Sequence, residues 1–161
     1  MLPIAAALSL IGMAVPASAT GMLLLSKADR EGLPRGTVAL TAVDLLRIYG
    51  NKTWQWGTGG AYFDEDGRAF RARTFGETGE TTARGVWRIT DSGKLCFRAN
   101  WKTGAEVQFS DTCFQHRQKD GDIYQRRLPD GEWYIFKHAE TLETDEFTKL
   151  VSKDLVRVVS E

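Results

Sequence analysis

All 17 aromatic residues of this 161-residue chain lie between Tyr49 and Phe147, and many of them recur at alternate positions between turn signals. That pattern favours strands, because alternate residues of a strand share one face. Trp54 and Trp56 flank Gln55, Trp87 shares a face with Ile89, and Leu95 shares one with Phe97. The punctuation is Gly57-Thr58-Gly59-Gly60, Asp64-Glu65-Asp66-Gly67, Asp91-Ser92-Gly93, Lys119-Asp120-Gly121-Asp122 and Pro129-Asp130-Gly131. Each supplies residues suited to a tight turn. About eight short strands follow, spaced roughly eight to twelve residues apart. The expected fold is mainly β, an antiparallel meander forming a small barrel or sandwich, lipocalin-like in outline.

Helices are expected at the two ends of this body. Thr41-Ala42-Val43-Asp44 reads as a capping box, with a hydroxyl at the cap and a carboxylate three residues on. Val43 and Leu46, with Leu45 and Tyr49, give the apolar stripe, and Gly50-Asn51 ends the helix. At the other end Thr144 is a candidate cap, with Asp145 and Glu146 in the first turn and Lys149 and Lys153 in the last. Phe147, Leu150 and Val151 form that helix's stripe, and Leu155 to Val159 could add an edge strand.

The N-terminus reads as an address. Residues 2–16 are apolar, and Ala17-Ser18-Ala19 is the small-x-small pattern of a cleavage site, placing the cut after Ala19. The usual basic flank is absent, since Lys27 is the first charged side chain. The rival reading is an uncleaved anchor, because the uncharged stretch runs on through Met22-Leu23-Leu24-Leu25. Pro16 and the small residues after it interrupt that stretch. The expected organisation is therefore 1–19 signal peptide, 20–39 linker and 40–161 one β-rich domain, periplasmic or secreted, with no membrane span after cleavage. Cys96 and Cys113 fit an oxidising compartment and are expected to form a disulfide, worth about 3 kcal/mol for a loop of this size. Facing complicates that pairing. Cys96 shares a face with Arg98 and Asn100, whereas Cys113 shares one with Phe109, so a bulge is expected to reconcile them.

Twenty-one basic residues balance 21 acidic ones, which gives no pull toward nucleic acid. Asp64-Glu65-Asp66-Gly67 resembles a calcium-loop fragment, but Phe75 stands where the twelfth-position Glu would be, and a turn is the simpler reading. No metal site and no cofactor are implied. His116, near Ser110 and Asp111, is the one place that suggests a hydrolase, yet no Gly-x-Ser-x-Gly elbow is present. A surface His on a strand is the plainer alternative. The strand arginines Arg68, Arg71, Arg73, Arg84, Arg88, Arg98, Arg126 and Arg127 could line one face and meet an anionic group, or form a solvated face. The tryptophans, Trp101 among them, could line an apolar pocket or fill the core. Trp54, Trp56, Trp87, Trp133, Arg88 and Arg126 are the candidate ligand-binding residues.

Several segments in fixed order carry a resemblance. They are Leu40-Thr41-Ala42-Val43-Asp44-Leu45 with Tyr49-Gly50-Asn51-Lys52-Thr53-Trp54, then Gly60-Ala61-Tyr62-Phe63 with Asp66-Gly67, and Gly85-Val86-Trp87. Leu95-Cys96, Cys113, Gly121-Asp122-Ile123-Tyr124 and Trp133-Tyr134 follow. From about residue 40 to 137 the chain is similar to a proteobacterial family known only as domain of unknown function 995. The resemblance implies a small exported bacterial protein and brings no established activity or catalytic residue. The resulting expectation is a non-enzymatic binding or interaction module for an unknown small molecule. The alternative is an envelope structural or regulatory protein that contacts another protein through a sheet edge or the tail.

Overall fold

The computed structural model describes residues 32–157. Residues 1–31, with the expected signal peptide 1–19 and the expected cut after Ala19, and residues 158–161 lie outside that range. The body is one antiparallel sheet of ten strands curled into a half-barrel. In chain order these are β1 (Val38–Ala39), β2 (Lys52–Trp56), β3 (Gly59–Phe63), β4 (Ala69–Gly76), β5 (Gly79–Ile89), β6 (Lys94–Thr103), β7 (Glu106–Lys119), β8 (Asp122–Arg127), β9 (Tyr134–Lys137) and β10 (Leu150–Val151). The spatial order is β10-β2-β3-β4-β5-β6-β7-β8-β9, and β1 pairs with β7 beyond the start of β6. The two extra strands over the expected eight are two-residue pieces, β1 and β10, too short to show a periodicity.

Helix α1 (Ala42–Tyr49) closes one end of the half-barrel. Its capping box forms as read. The Asp44 amide donates to Thr41 Oγ1 at 3.2 Å, and the Thr41 amide donates to Asp44 Oδ2 at 3.1 Å. Leu45 and Tyr49 of the expected stripe are buried and Ile48 joins them, whereas Val43 is 55% exposed. Asn51, at φ 55, takes the left-handed position that ends the helix. The last part of the stretch read as linker packs onto the sheet, with Leu33 and Thr37 buried and Val38–Ala39 paired.

The tail is not helical. It makes a single 3-10 turn at Glu146–Lys149 and then pairs as β10 with Trp54 and Thr53 of β2. Thr144 caps nothing; Asp145 stands at the turn's cap without a side-chain bond to it. Residues 155–157 do not extend the sheet as an edge strand. The apolar residues of the supposed helix serve tertiary contacts instead. Phe147 packs edge-on against Phe136 of β9, with ring centroids 6.0 Å apart. A helix-like stripe of three residues is too short a signal to outweigh such contacts.

Sheet register places large and small inward residues in alternating rows. One row runs Phe63, Phe70, Gly85, Ala99, Ser110 across β3 to β7. Gly85 is required there, because a Cβ would sit 1.8 Å from the Arg98 carbonyl oxygen. The next row runs Trp54, Ala61, Ala72, Ala83, Trp101. Three alanines thus lie side by side between two tryptophans.

Cys96 and Cys113 face one another directly, with Cα atoms 4.1 Å apart, at disulfide distance. The expected bulge is absent, since β6 and β7 pair without interruption from Lys94↔Gln115 to Thr103↔Glu106. Phe109 and Cys113 do share a face, and it is the same face as Cys96, Arg98 and Asn100. Phe109 sits opposite Asn100 on the outer surface, 64% exposed. Replacing both cysteines by alanine is expected to cost about 3 kcal/mol of unfolding free energy, from the loop-closure entropy of the denatured chain. Urea denaturation of the double variant against the oxidised wild type measures it; equal midpoints would contradict the pairing.

Candidate functional site

Ala61, at the β3 end of the alanine row, leaves space above it. Over the Ala61 floor, between the Trp54 and Trp101 walls, lies an apolar cleft of about 190 Å³. Phe63, Phe70, Phe97, Phe114 and Trp56 complete its lining, and Glu146 reaches it from the 3-10 turn. Its walls are braced. Phe70 stacks on Phe97 at 4.5 Å between centroids, and Trp54 meets Phe114 edge-on at 5.2 Å. The indole N–H of Trp54 donates to Glu146 Oε1 at 2.8 Å, and that of Trp101 to Ser110 Oγ at 2.9 Å. Both indoles are thereby fixed with their faces available to an apolar guest. In the neighbouring row of the sheet Trp56 Nε1 donates to Thr74 Oγ1 at 3.2 Å, and Thr81 and Thr103 bond each other at 2.6 Å.

Of the six binding candidates, Trp54 and Trp56 meet at this cleft, Arg126 and Trp133 meet elsewhere, and Trp87 and Arg88 join neither pair. Trp87 is 2% exposed; it packs on Phe63 and donates its N–H to the Asp64 carbonyl, which makes it core. Arg126 stacks over Trp133, with 4.9 Å from guanidinium to ring, away from the cleft. A groove of about 580 Å³ runs beside that pair, but Gly, Pro and charged residues make up most of its walls, leaving an apolar ligand little to bury. Arg88 lies on the outer face near Asp111, at 3.9 Å. Phe97, Trp101 and Phe114 were missing from the candidate set. Their signal was register: Trp101 pairs with Ala83, Phe97 with Trp87 and Phe114 with Leu95, so all three face the interior.

The other end of the interior is filled and polar. His116, expected at the surface, is 0% exposed. Its Nδ1 lies 3.2 Å from the Gly93 carbonyl oxygen, which can only accept, so the ring proton sits on Nδ1. Nε2 is then an acceptor, facing the Tyr49 hydroxyl at 2.8 Å and the Gln125 amide nitrogen at 2.6 Å. Gln125 also donates to Tyr49 Oη at 2.7 Å, and its Oε1 accepts from the hydroxyl of Tyr134. This network ties α1 to β7, β8 and β9. Ser110 is engaged by Trp101, and Asp111 accepts from Arg98 on the opposite face of the sheet at 2.8 Å. His116, Ser110 and Asp111 therefore do not converge into a triad. The Asp64 side chain accepts from the Asp66 amide at 3.1 Å, as a turn requires, and among the described residues no group of three or more His, Cys, Asp or Glu side chains could hold a metal ion.

Burial lowers the His116 pKa from 6.5 to about 4, and the hydrogen bond to Gly93 only partly offsets it. The unfolded chain therefore takes up this proton as pH falls through 6.5, while the folded protein resists until about 4. Stability contributed by the neutral ring is full above pH 6.5 and is lost between there and 4, by about 3 kcal/mol in total. Urea unfolding at several pH values should show a shallower acid loss for His116→Asn than for the wild type. Identical pH slopes would contradict the neutral buried ring.

Among the described residues no helix is long and apolar enough to cross a membrane. No curated protein and no solved structure matches the chain. One family model does, over residues 9–156, which is nearly the whole chain. The half-barrel with its aromatic cleft thus belongs to a member of the family described as Protein of unknown function (DUF995).

Proposed function

We propose that this chain is an exported, non-enzymatic binding module that receives the apolar part of a ligand in the Trp54–Trp101 cleft. The observation that carries the proposal is a gap of about 190 Å³ with an apolar lining, placed by sheet register rather than by imperfect packing. Its size limits the guest. Ligand pockets for whole drug-sized molecules run to about 300–1,000 Å³, whereas an apolar cavity of about 150 Å³ admits benzene. One aromatic ring or a branched aliphatic group suits the cleft, with the rest of the ligand extending over the neighbouring row of Thr74, Thr81 and Thr103. Export is supported by Ala17-Ser18-Ala19 and by a cystine pair that an oxidising compartment would maintain.

The test is a titration with p-cresol followed by the indole N–H resonances of Trp54 and Trp101. Both should shift saturably, and Ala61→Leu, which fills the floor, should weaken binding at least tenfold. Unchanged affinity in Ala61→Leu, or shifts confined to Trp133, would sink the proposal. Native mass spectrometry of protein taken from periplasm would then identify the natural guest.

A second reading, contact with another protein, has its own observation. The Cys96–Cys113 pair is of the close, non-hydrogen-bonded type, and Leu128 N–H donates to the Cys113 carbonyl at 2.8 Å. Backbone groups of Val107, Phe109 and Asp111 face the same way, and β8 does not extend to them. This stretch is an edge of the sheet, with Val107 and Phe109 exposed beside it, and an extended segment of a partner would continue the β8 ladder. Phe109→Pro removes one outward N–H without touching the β6 ladder. Loss of captured partners in that variant supports the reading; an identical set would remove it.

A further inference from the structure

On the outer face, sheet register aligns Thr53, Tyr62, Arg71 and Arg84 across β2 to β5. Arg71 and Arg84 are direct cross-strand partners, an arrangement in which like charges repel. The tail adds a third cation. Thr53 Oγ1 donates to the Lys153 carbonyl and accepts from the Leu155 amide, which straps residues 153–155 over the sheet. Arg71 Nη2 holds Asp154 at 2.7 Å. Arg157 is thereby delivered to a pocket of about 230 Å³ that it lines with Arg71, Arg84 and Thr82.

The charges do not balance there. Asp154 and, at 3.9 Å, Asp64 both serve Arg71. Arg84 and Arg157 have no ion-pair partner among the described residues. Arg71 Nε is buried without a hydrogen-bond partner. Two other arginines on this face do have carboxylate partners, Arg73 with Glu80 and Arg98 with Asp111. A chain with zero net charge has concentrated uncompensated guanidinium groups at one point, next to a hydroxyl and in a concavity.

We propose that Arg71, Arg84, Arg157 and Thr82 form a binding site for a phosphate-class oxyanion. The guanidinium forks match the oxygens of a tetrahedral anion, and the bound charge relieves the Arg71–Arg84 repulsion. Such a group is carried by free phosphate compounds and by anionic lipid headgroups alike. The site lies on the opposite face of the sheet from the aromatic cleft and stands or falls independently of it.

The experiment compares wild type, Arg84→Ala and Arg88→Ala, first by thermal unfolding and calorimetric titration with inorganic phosphate. Co-sedimentation with phosphatidylglycerol vesicles, against phosphatidylcholine vesicles, forms the second arm. Arg84→Ala is expected to weaken anion binding about tenfold. Its unfolding temperature without phosphate should equal or exceed that of wild type, because a repulsive neighbour is gone. Arg88, on the same face but near Asp111, serves as the control and its variant should bind as wild type does. Saturable phosphate binding points to a soluble oxyanion, and binding to phosphatidylglycerol alone points to a headgroup. Absence of saturable binding in both arms, or equal loss in Arg88→Ala, would overturn the proposal.

Discussion

The register that sets Ala61, Ala72 and Ala83 side by side between Trp54 and Trp101 is the constraint on which the structure turns. A one-residue slip in any of these strands would exchange inner and outer faces, sending aromatic rings to solvent and arginines to the interior. With the register fixed, Ala61 forms the floor and aromatic rings form the walls, so an open apolar space is built into the sheet. The same alignment also sets the outer surface. The positions between the aromatic ones carry Arg71, Arg73, Arg84, Arg88 and Arg98, and they place Cys96 opposite Cys113.

The interior divides by chemistry along its length. At the helix end, Tyr49, His116, Gln125 and Tyr134 satisfy one another, which a buried polar group must do to avoid a desolvation cost. At the other end aromatic rings line the space, and their indole N–H groups are engaged by Glu146, Ser110 and Thr74. The first end fixes α1 and the β7–β9 region as one body. The second is left free to receive something. The 3-10 turn joins them, since Phe147 packs on Phe136 near the network while Glu146 holds Trp54 at the cleft.

What could be read from the sequence was what local chemistry dictates. The hairpin turns, the Thr41–Asp44 capping box, the mainly β meander and the pairing of the two cysteines follow from residue types at short range. What could not be read depended on neighbours distant in the chain. Phe109 is as apolar as Phe97, and only the pairing of β6 with β7 shows that it faces outward. His116 looked exposed because its partners, Tyr49 and Gln125, lie 67 and 9 residues away. The tail helix failed because Leu150 and Val151 gain more by pairing with β2 than by extending a single turn. For the candidate site, Trp54 and Trp56 were legible as neighbours on one face. Trp87 was not separable from them, because core and cleft use the same residue type.

The central claim is that the alanine-floored cleft accepts an apolar guest. Diffraction from wild-type crystals pressurised with xenon tests it without any assumption about the natural ligand. The account predicts a xenon site between Trp54 and Trp101 above Ala61, with the surrounding rings unmoved. Rings collapsed into the space, or xenon absent from it, would contradict the claim.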